Sequence, residues 1–277
     1  MSLLSNRFVK LSLGTRGAQA SVHSSWSRDQ ALVRARHTVD PADGLSMQTD
    51  EEGGQLACVL QGAQAVLSEL KSTGGLKNAP LNVQLVNGLA HFDLVSGDFA
   101  QSSERQLQAI AHACVDDMLG DDAGPRIVQW QLQADGQHLL IASLKATVVD
   151  ALAQQAALHG MALASLQPEF CAHWNAHARY LSGAMAIFAS VGDGAVVMAL
   201  VEKGSITALS VGALDEGHAT TADGASKTAL DLRADRLAAS HGTDPAAIAA
   251  FMLVAPEGDA EVATSRWTAV RHEGGSA

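Results

Sequence analysis

The chain has 277 residues, 47% of them apolar and 17% charged, which suits two subdomains or one large α/β domain and excludes a disordered protein. A formal net charge of −11 argues against a phosphate-backbone binder and against docking on anionic lipid by electrostatics alone. Both need clustered Lys and Arg, and no basic block stands anywhere in the chain.

Met1–Leu13 holds Arg7 and Lys10 and no small-residue cleavage site, so it is not read as a signal peptide. The longest apolar runs are about seven residues, against roughly 20 needed to cross a bilayer. The expectation is a cytoplasmic chain. Cys58, Cys114 and Cys171 are far apart and lack CxxC spacing, which predicts reduced, buried thiols.

In chain order, Leu4–Leu13 alternates as a strand, Gly14–Gly17 turns, and Ala18–Ser25 returns. Arg36–Gly54 is polar and reads as an exposed loop, Gln55–Val59 as a short third strand, and the following residues to Lys71 as a helix with Leu60, Ala63, Leu67 and Leu70 inward. Asn87-Gly88 predicts a hairpin between Leu81–Val86 and Leu89–Val95. Ser103 and Gln106 form a capping-box pattern for a helix that Gly120 ends. Strands over Arg126–Gln133 and His138–Ser143 precede a helix over Ala146–His159. A strand over Ala162–Leu166 then enters a helix running from Pro168 to about Tyr180.

Ala184–Gly212 is the most informative stretch. It reads as three apolar strands joined by Gly192-Asp193-Gly194 and Glu202-Lys203-Gly204, with both faces of the meander covered. A helix over about 224–240 and a strand over Ala250–Ala255 follow, which is the order of half an actin-like, ribonuclease-H-like domain. The expected fold is therefore mixed α/β and actin-like, with two related subdomains and mixed sheets. Residues 1–180 would form the first subdomain with inserted elements, 181–256 the second, and 257–277 a loosely packed polar extension.

Candidate chemistry is sparse. His173 and His177 lie four apart on one predicted helix, the spacing of a zinc helix, but Trp174 stands where a zincin has Glu, and no third ligand is near. Asp116-Asp117 and Asp121-Asp122 read as a solvated helix end, and Pro168-Glu169 as a helix start. No nucleophile elbow, P-loop or dinucleotide fingerprint is present, so no catalytic residue and no metal site are assigned.

With these residues in view, Asn82–Leu94, Ser103–Leu119, Leu139–Gly160 and Met161–Pro168 resemble the actin-like assembly proteins of bacterial envelope machines, the PilM and GspL families. Ala184–Gly212 continues as that family's second-domain meander. The resemblance implies phosphate hairpins at the N-terminal strand and at the first meander turn, so Lys10, Gly192, Asp193 and Gly194 are the cofactor-binding positions if a nucleotide binds. Two departures stand out. Carboxylates and glycines are missing around Ser5-Asn6, and Ser190 replaces the second-loop aspartate. The expectation is thus a pseudo-ATPase without cofactor, a non-catalytic scaffold for a type IV pilus or type II secretion platform. Its rivals are an ATP/Mg-binding ATPase using Asp193 or Asp215, and a metal-dependent enzyme using His173 and His177. GspL-like chains continue into a transmembrane helix and this one ends at Ala277, so the resemblance implies recruitment by the cytosolic segment of an inner-membrane assembly protein. A motor ATPase is a further expected partner, nucleic acid is not, and an exposed sheet edge would allow a homodimer.

Overall fold

A computed structural model describes residues 7–24, 27–38, 51–72, 76–120, 124–183, 185–213, 218–220, 226–255 and 266–271. The chain opens with β1 (Arg7–Leu13), β2 (Gly17–Ser24), β3 (Ser27–Thr38), α1 (Glu51–Ser72) and β4 (Pro80–Leu85). Next come β5 (Ala90–Ser96), α2 (Glu104–Leu119), β6 (Arg126–Leu132), β7 (His138–Lys145), α3 (Ala146–Leu158) and β8 (Ala162–Pro168). Then follow α4 (Glu169–His177), β9 (Ala186–Gly192), β10 (Ala195–Glu202), β11 (Ser205–Ala213), β12 (His218–Thr220) and β13 (Ser226–Thr228). The last elements are α5 (Ala229–Ser240), β14 (Ala250–Ala255) and β15 (Thr268–Arg271).

The chain divides into two units, 1–90 with 144–168 and 91–143 with 169–277. This differs from the continuous first subdomain expected over 1–180, because the chain leaves and re-enters the first unit around the inserted residues 91–143. In the first unit the strands lie in the order β3-β2-β1-β4-β8. The β1–β2 and β2–β3 pairs are antiparallel, and β1–β4 and β4–β8 are parallel. Val9, Leu11, Leu13, Ala20, Val22, Val83 and Leu85 turn one face of this sheet into a core. Val59, Ala63, Val66, Leu67 and Leu70 of α1 and Val148, Leu152 and Ala156 of α3 close that core.

The second unit repeats the order in the sheet β11-β10-β9-β14-β15. Again two antiparallel pairs, β9–β10 and β10–β11, adjoin two parallel ones, β9–β14 and β14–β15. One face packs Ile187, Ala189, Val196, Met198 and Leu253 on Leu230, Ala234, Leu237 and Ala238 of α5. The inserted residues form a smaller sheet, β5-β7-β6, on which α2 packs through Leu107, Ala111 and Val115. The predicted capping box starts α2, with the Ser103 backbone N–H donating to Gln106 Oε1 at 2.8 Å and the Gln106 backbone N–H donating to Ser103 Oγ at 3.4 Å.

Four expectations are corrected. The third strand is β3, not Gln55–Val59. Val59 lies on the same helix face as Ala63, Val66 and Leu70, so the helical period absorbs that segment into α1. β3 takes in Arg36–Thr38 of the region read as a loop: Val33, Ala35 and His37 face inward while Leu32, Arg34, Arg36 and Thr38 are exposed, a strand period hidden by its charged outer positions. Residues 39–50 of that loop lie outside the described residues.

Asn87-Gly88 does not turn a hairpin. Neither residue takes the positive φ that a two-residue hairpin turn requires, and Asn87–Leu89 forms a 3₁₀ turn from which β4 and β5 enter different sheets. The supposed extension supplies β15, anchored by buried Trp267, whose Nε1 donates to Asp231 Oδ1 at 2.8 Å. Arg266 adds a pair with Asp235 at 2.7 Å and stacks 3.7 Å from the Phe251 ring centroid.

Candidate functional site

The site is built on the turn between β9 and β10. Every residue of β9 is buried, and Asp193 and Gly194, at φ 49° and 75°, make the two-residue turn. Both central positions of such a turn need positive φ, which Gly takes freely and Asp tolerates. The next turn repeats the device with Lys203 and Gly204, at φ 50° and 81°. Gly192 is a glycine for a different reason. A Cβ there would collide with Oε2 of Glu169, so the carboxyl lies directly on the backbone of the turn.

Glu169 is the first residue of α4, and its Oε2 is sealed from water without a hydrogen-bond partner. Burial, reinforced by the negative charge of Asp193, pushes its pKa up to about 8. At neutral pH it is a neutral acid, unable to serve as a strong base. One turn along α4, His173 Nδ1 lies 2.9 Å from Ser190 Oγ, and both residues are buried. This resembles a nucleophile–base pair but is closed to solvent on a central strand, so it ties α4 to β9. Around it, Phe170 and Trp174 meet Phe188 at centroid distances of 5.8 and 5.5 Å, and Phe92 meets Phe170 at 5.5 Å. The same burial pushes the Cys171 thiol up to about 11, so it stays protonated.

The predicted site residues separate accordingly. Gly192, Asp193 and Gly194 stand together at the turn in the second unit. Lys10 is exposed on β1 of the first unit, its Nζ 6.0 Å from the Phe8 ring. Asp215 lies outside the described residues. His173 is committed to Ser190, and His177 sits one turn further on with its ring 6.2 Å from Tyr180. Among the described residues no group of three or more His, Cys, Asp or Glu is placed to hold a metal. Asp116 and Asp117 lie in the last turn of α2, and residues 121–123 are not described.

Sequence reasoning took Glu169 only as a helix start. The available signal was its i, i+4 spacing to His173, which puts both on one helix face.

No family model and no curated protein sequence matches the chain. Solved structures do. An actin-like ATPase-fold protein of unknown function from Bacteroides thetaiotaomicron aligns at TM-score 0.54 and 12% identity, over 94% of this chain and 88% of that one. The cytoplasmic domain of EpsL, an inner-membrane component of the type II secretion system of Vibrio cholerae, aligns at 0.55 and 10%, over 96% and 91%. A chain of the PilM–PilN type IV pilus biogenesis complex aligns at 0.52 and 11%, over 86% and 66%. Two ribonuclease-H-like sheets of matching strand order, together with these likenesses, show that the chain has the actin-like fold.

Proposed function

We propose that the protein is a non-catalytic actin-like scaffold, recruited to a type II secretion or type IV pilus assembly platform by the cytosolic segment of an inner-membrane protein. The observation that carries this reading is the carboxyl of Glu169 lying on Gly192 beside Asp193. A phosphate cradle needs converging backbone N–H groups and positive charge. This turn carries Asp193 instead, the buried carboxyl of Glu169 fills the space against Gly192, and the strand position next to it holds Ser190 in a bond to His173. Likeness to EpsL and to PilM supports the choice of machine. Among the described residues no helix is long and apolar enough to cross a membrane, and the likeness to a chain of the PilM–PilN complex supports attachment through a partner.

The test is thermal unfolding with ATP or ADP at 5 mM, with and without Mg²⁺. The scaffold reading expects no nucleotide-dependent shift. A ligand at about 100 times its Kd would add roughly 2.7 kcal/mol, a rise of several degrees that would overturn the reading.

A second reading, an ATP/Mg-binding ATPase, draws on Asp193, whose side chain at the turn would help hold a cation that offsets phosphate charge. It expects that same rise, and its loss in Asp193→Ala.

A further inference from the structure

The first sheet has a charge opposite to that of the chain it belongs to. Overall, 29 acidic residues outnumber 18 Lys and Arg. Its five strands contain Arg7, Lys10, Arg28, Arg34 and Arg36 against Asp29 alone, while β2, β4 and β8 carry no Lys, Arg, Asp or Glu. Strand register sorts these residues. Val9, Leu11, Val22 and Ala35 face the helices, whereas Lys10, Ser21 and Arg34 form one row of the opposite face and Ser12, Gln19 and Arg36 the next. Lys10, Arg34 and Arg36 are exposed there, and so is Leu32. Among the described strands β3 stands at the edge of the sheet.

We propose that this strip docks an acidic, extended segment of a partner protein, paired along the outer edge of β3 with its carboxylates over Arg34 and Arg36. An edge strand offers unpaired backbone groups to an added strand. Arg34 and Arg36 are two residues apart, about 6.6 Å along a strand, which is the spacing of same-side residues in the segment that pairs with it. A protein segment is favoured over a membrane by range. At physiological salt, charge is felt over about 8 Å, so a single added strand senses only the basic strip. A membrane would face the wider surface of a chain carrying −11. The inference rests on the scaffold reading, in that it names the surface and the chemistry of the partner.

The experiment is fluorescence anisotropy with a labelled ten-residue peptide of alternating Glu and Thr, read at 50 and 300 mM NaCl. The expected result is saturable binding that weakens with salt and falls at least tenfold in the double variant Arg34→Glu/Arg36→Glu. Amide shifts should concentrate on residues 32–38. Equal binding by the double variant, equal binding of a Lys–Thr peptide, or capture by phosphatidylserine vesicles without peptide binding would overturn the proposal. Both side chains are exposed, and Arg34→Gln/Arg36→Gln, which neutralises without reversing, should give an intermediate loss in a chain of unchanged melting temperature. Partner capture that survives charge reversal removes this surface and leaves the scaffold reading standing. Stabilisation by Mg-ATP removes the scaffold reading and leaves the charge result intact.

Discussion

The two five-stranded sheets share a strand order and differ in their second faces. In the sheet centred on β9, Phe188, Ser190, Val197, Ala199 and Val201 continue the burial, and Phe170 and Trp174 of α4 pack onto Phe188. In the sheet centred on β1, the corresponding face carries Lys10, Ser12, Gln19, Ser21, Asn82, Gln84 and Ser165. Its polar groups pair with each other where they are sheltered. Ser21 Oγ lies 2.8 Å from His23 Nε2, and Ser165 Oγ donates to Asn82 Oδ1 at 2.7 Å. Strand order therefore does not dictate how a face is used. One sheet buries both faces, and the other leaves one polar face partly open to water.

The largest expected break in this contrast is Phe188→Ala. Removing a fully buried ring between α4 and β9 should cost about 3–5 kcal/mol in urea denaturation, whereas Lys10→Ala on the polar face should stay within about 0.5 kcal/mol. Equal losses at the two positions would dissolve the distinction.

Next is the pH response of Glu169. Folded, its carboxyl keeps a proton up to about pH 8, and unfolded it releases it near 4.5. Between those values the unfolded state binds fewer protons, so stability falls as pH rises, by at most about 1.4 kcal/mol per unit. The contribution is complete below pH 4.5 and lost as pH passes 8. Glu169→Gln should flatten this fall in denaturation series from pH 5 to 8, and a slope unchanged by the substitution would place the titrating group elsewhere.

A smaller effect is expected from Ser190→Ala, which leaves His173 Nδ1 without its Ser190 contact in a buried place and should cost about 1–3 kcal/mol. Ser12→Ala, the first-sheet counterpart on a half-buried polar position, should cost less than about 0.5 kcal/mol by the same assay.

The β9–β11 meander of the second sheet was legible in the sequence because its signals are local. Three apolar runs are separated by Asp-Gly and Lys-Gly, and each pair takes positive φ as the turn requires. The capping box at Ser103 was legible for the same reason. β3 was not, since arginines on alternate positions look like a polar loop until β2 supplies the partner that buries Ala35. β15 was hidden in a Gly-, Ser- and charge-rich tail where only Val262 and Trp267 stood out. Its anchor, Asp231, lies 36 residues earlier. At the candidate site, Gly192 could be read as turn chemistry, but the reason for it is a carboxyl 23 residues away that α4 returns to the strand. Such contacts depend on how helices dock, which no local pattern encodes.

The central claim is that the turn at Gly192-Asp193-Gly194 closes on Glu169 and holds no nucleotide phosphate. The most direct measurement is an amide NMR titration of the purified chain with Mg-ATP up to 5 mM. The account predicts that the Gly192, Asp193 and Gly194 resonances stay in place. Saturable shifts at these three residues, abolished in Asp193→Ala, would contradict it.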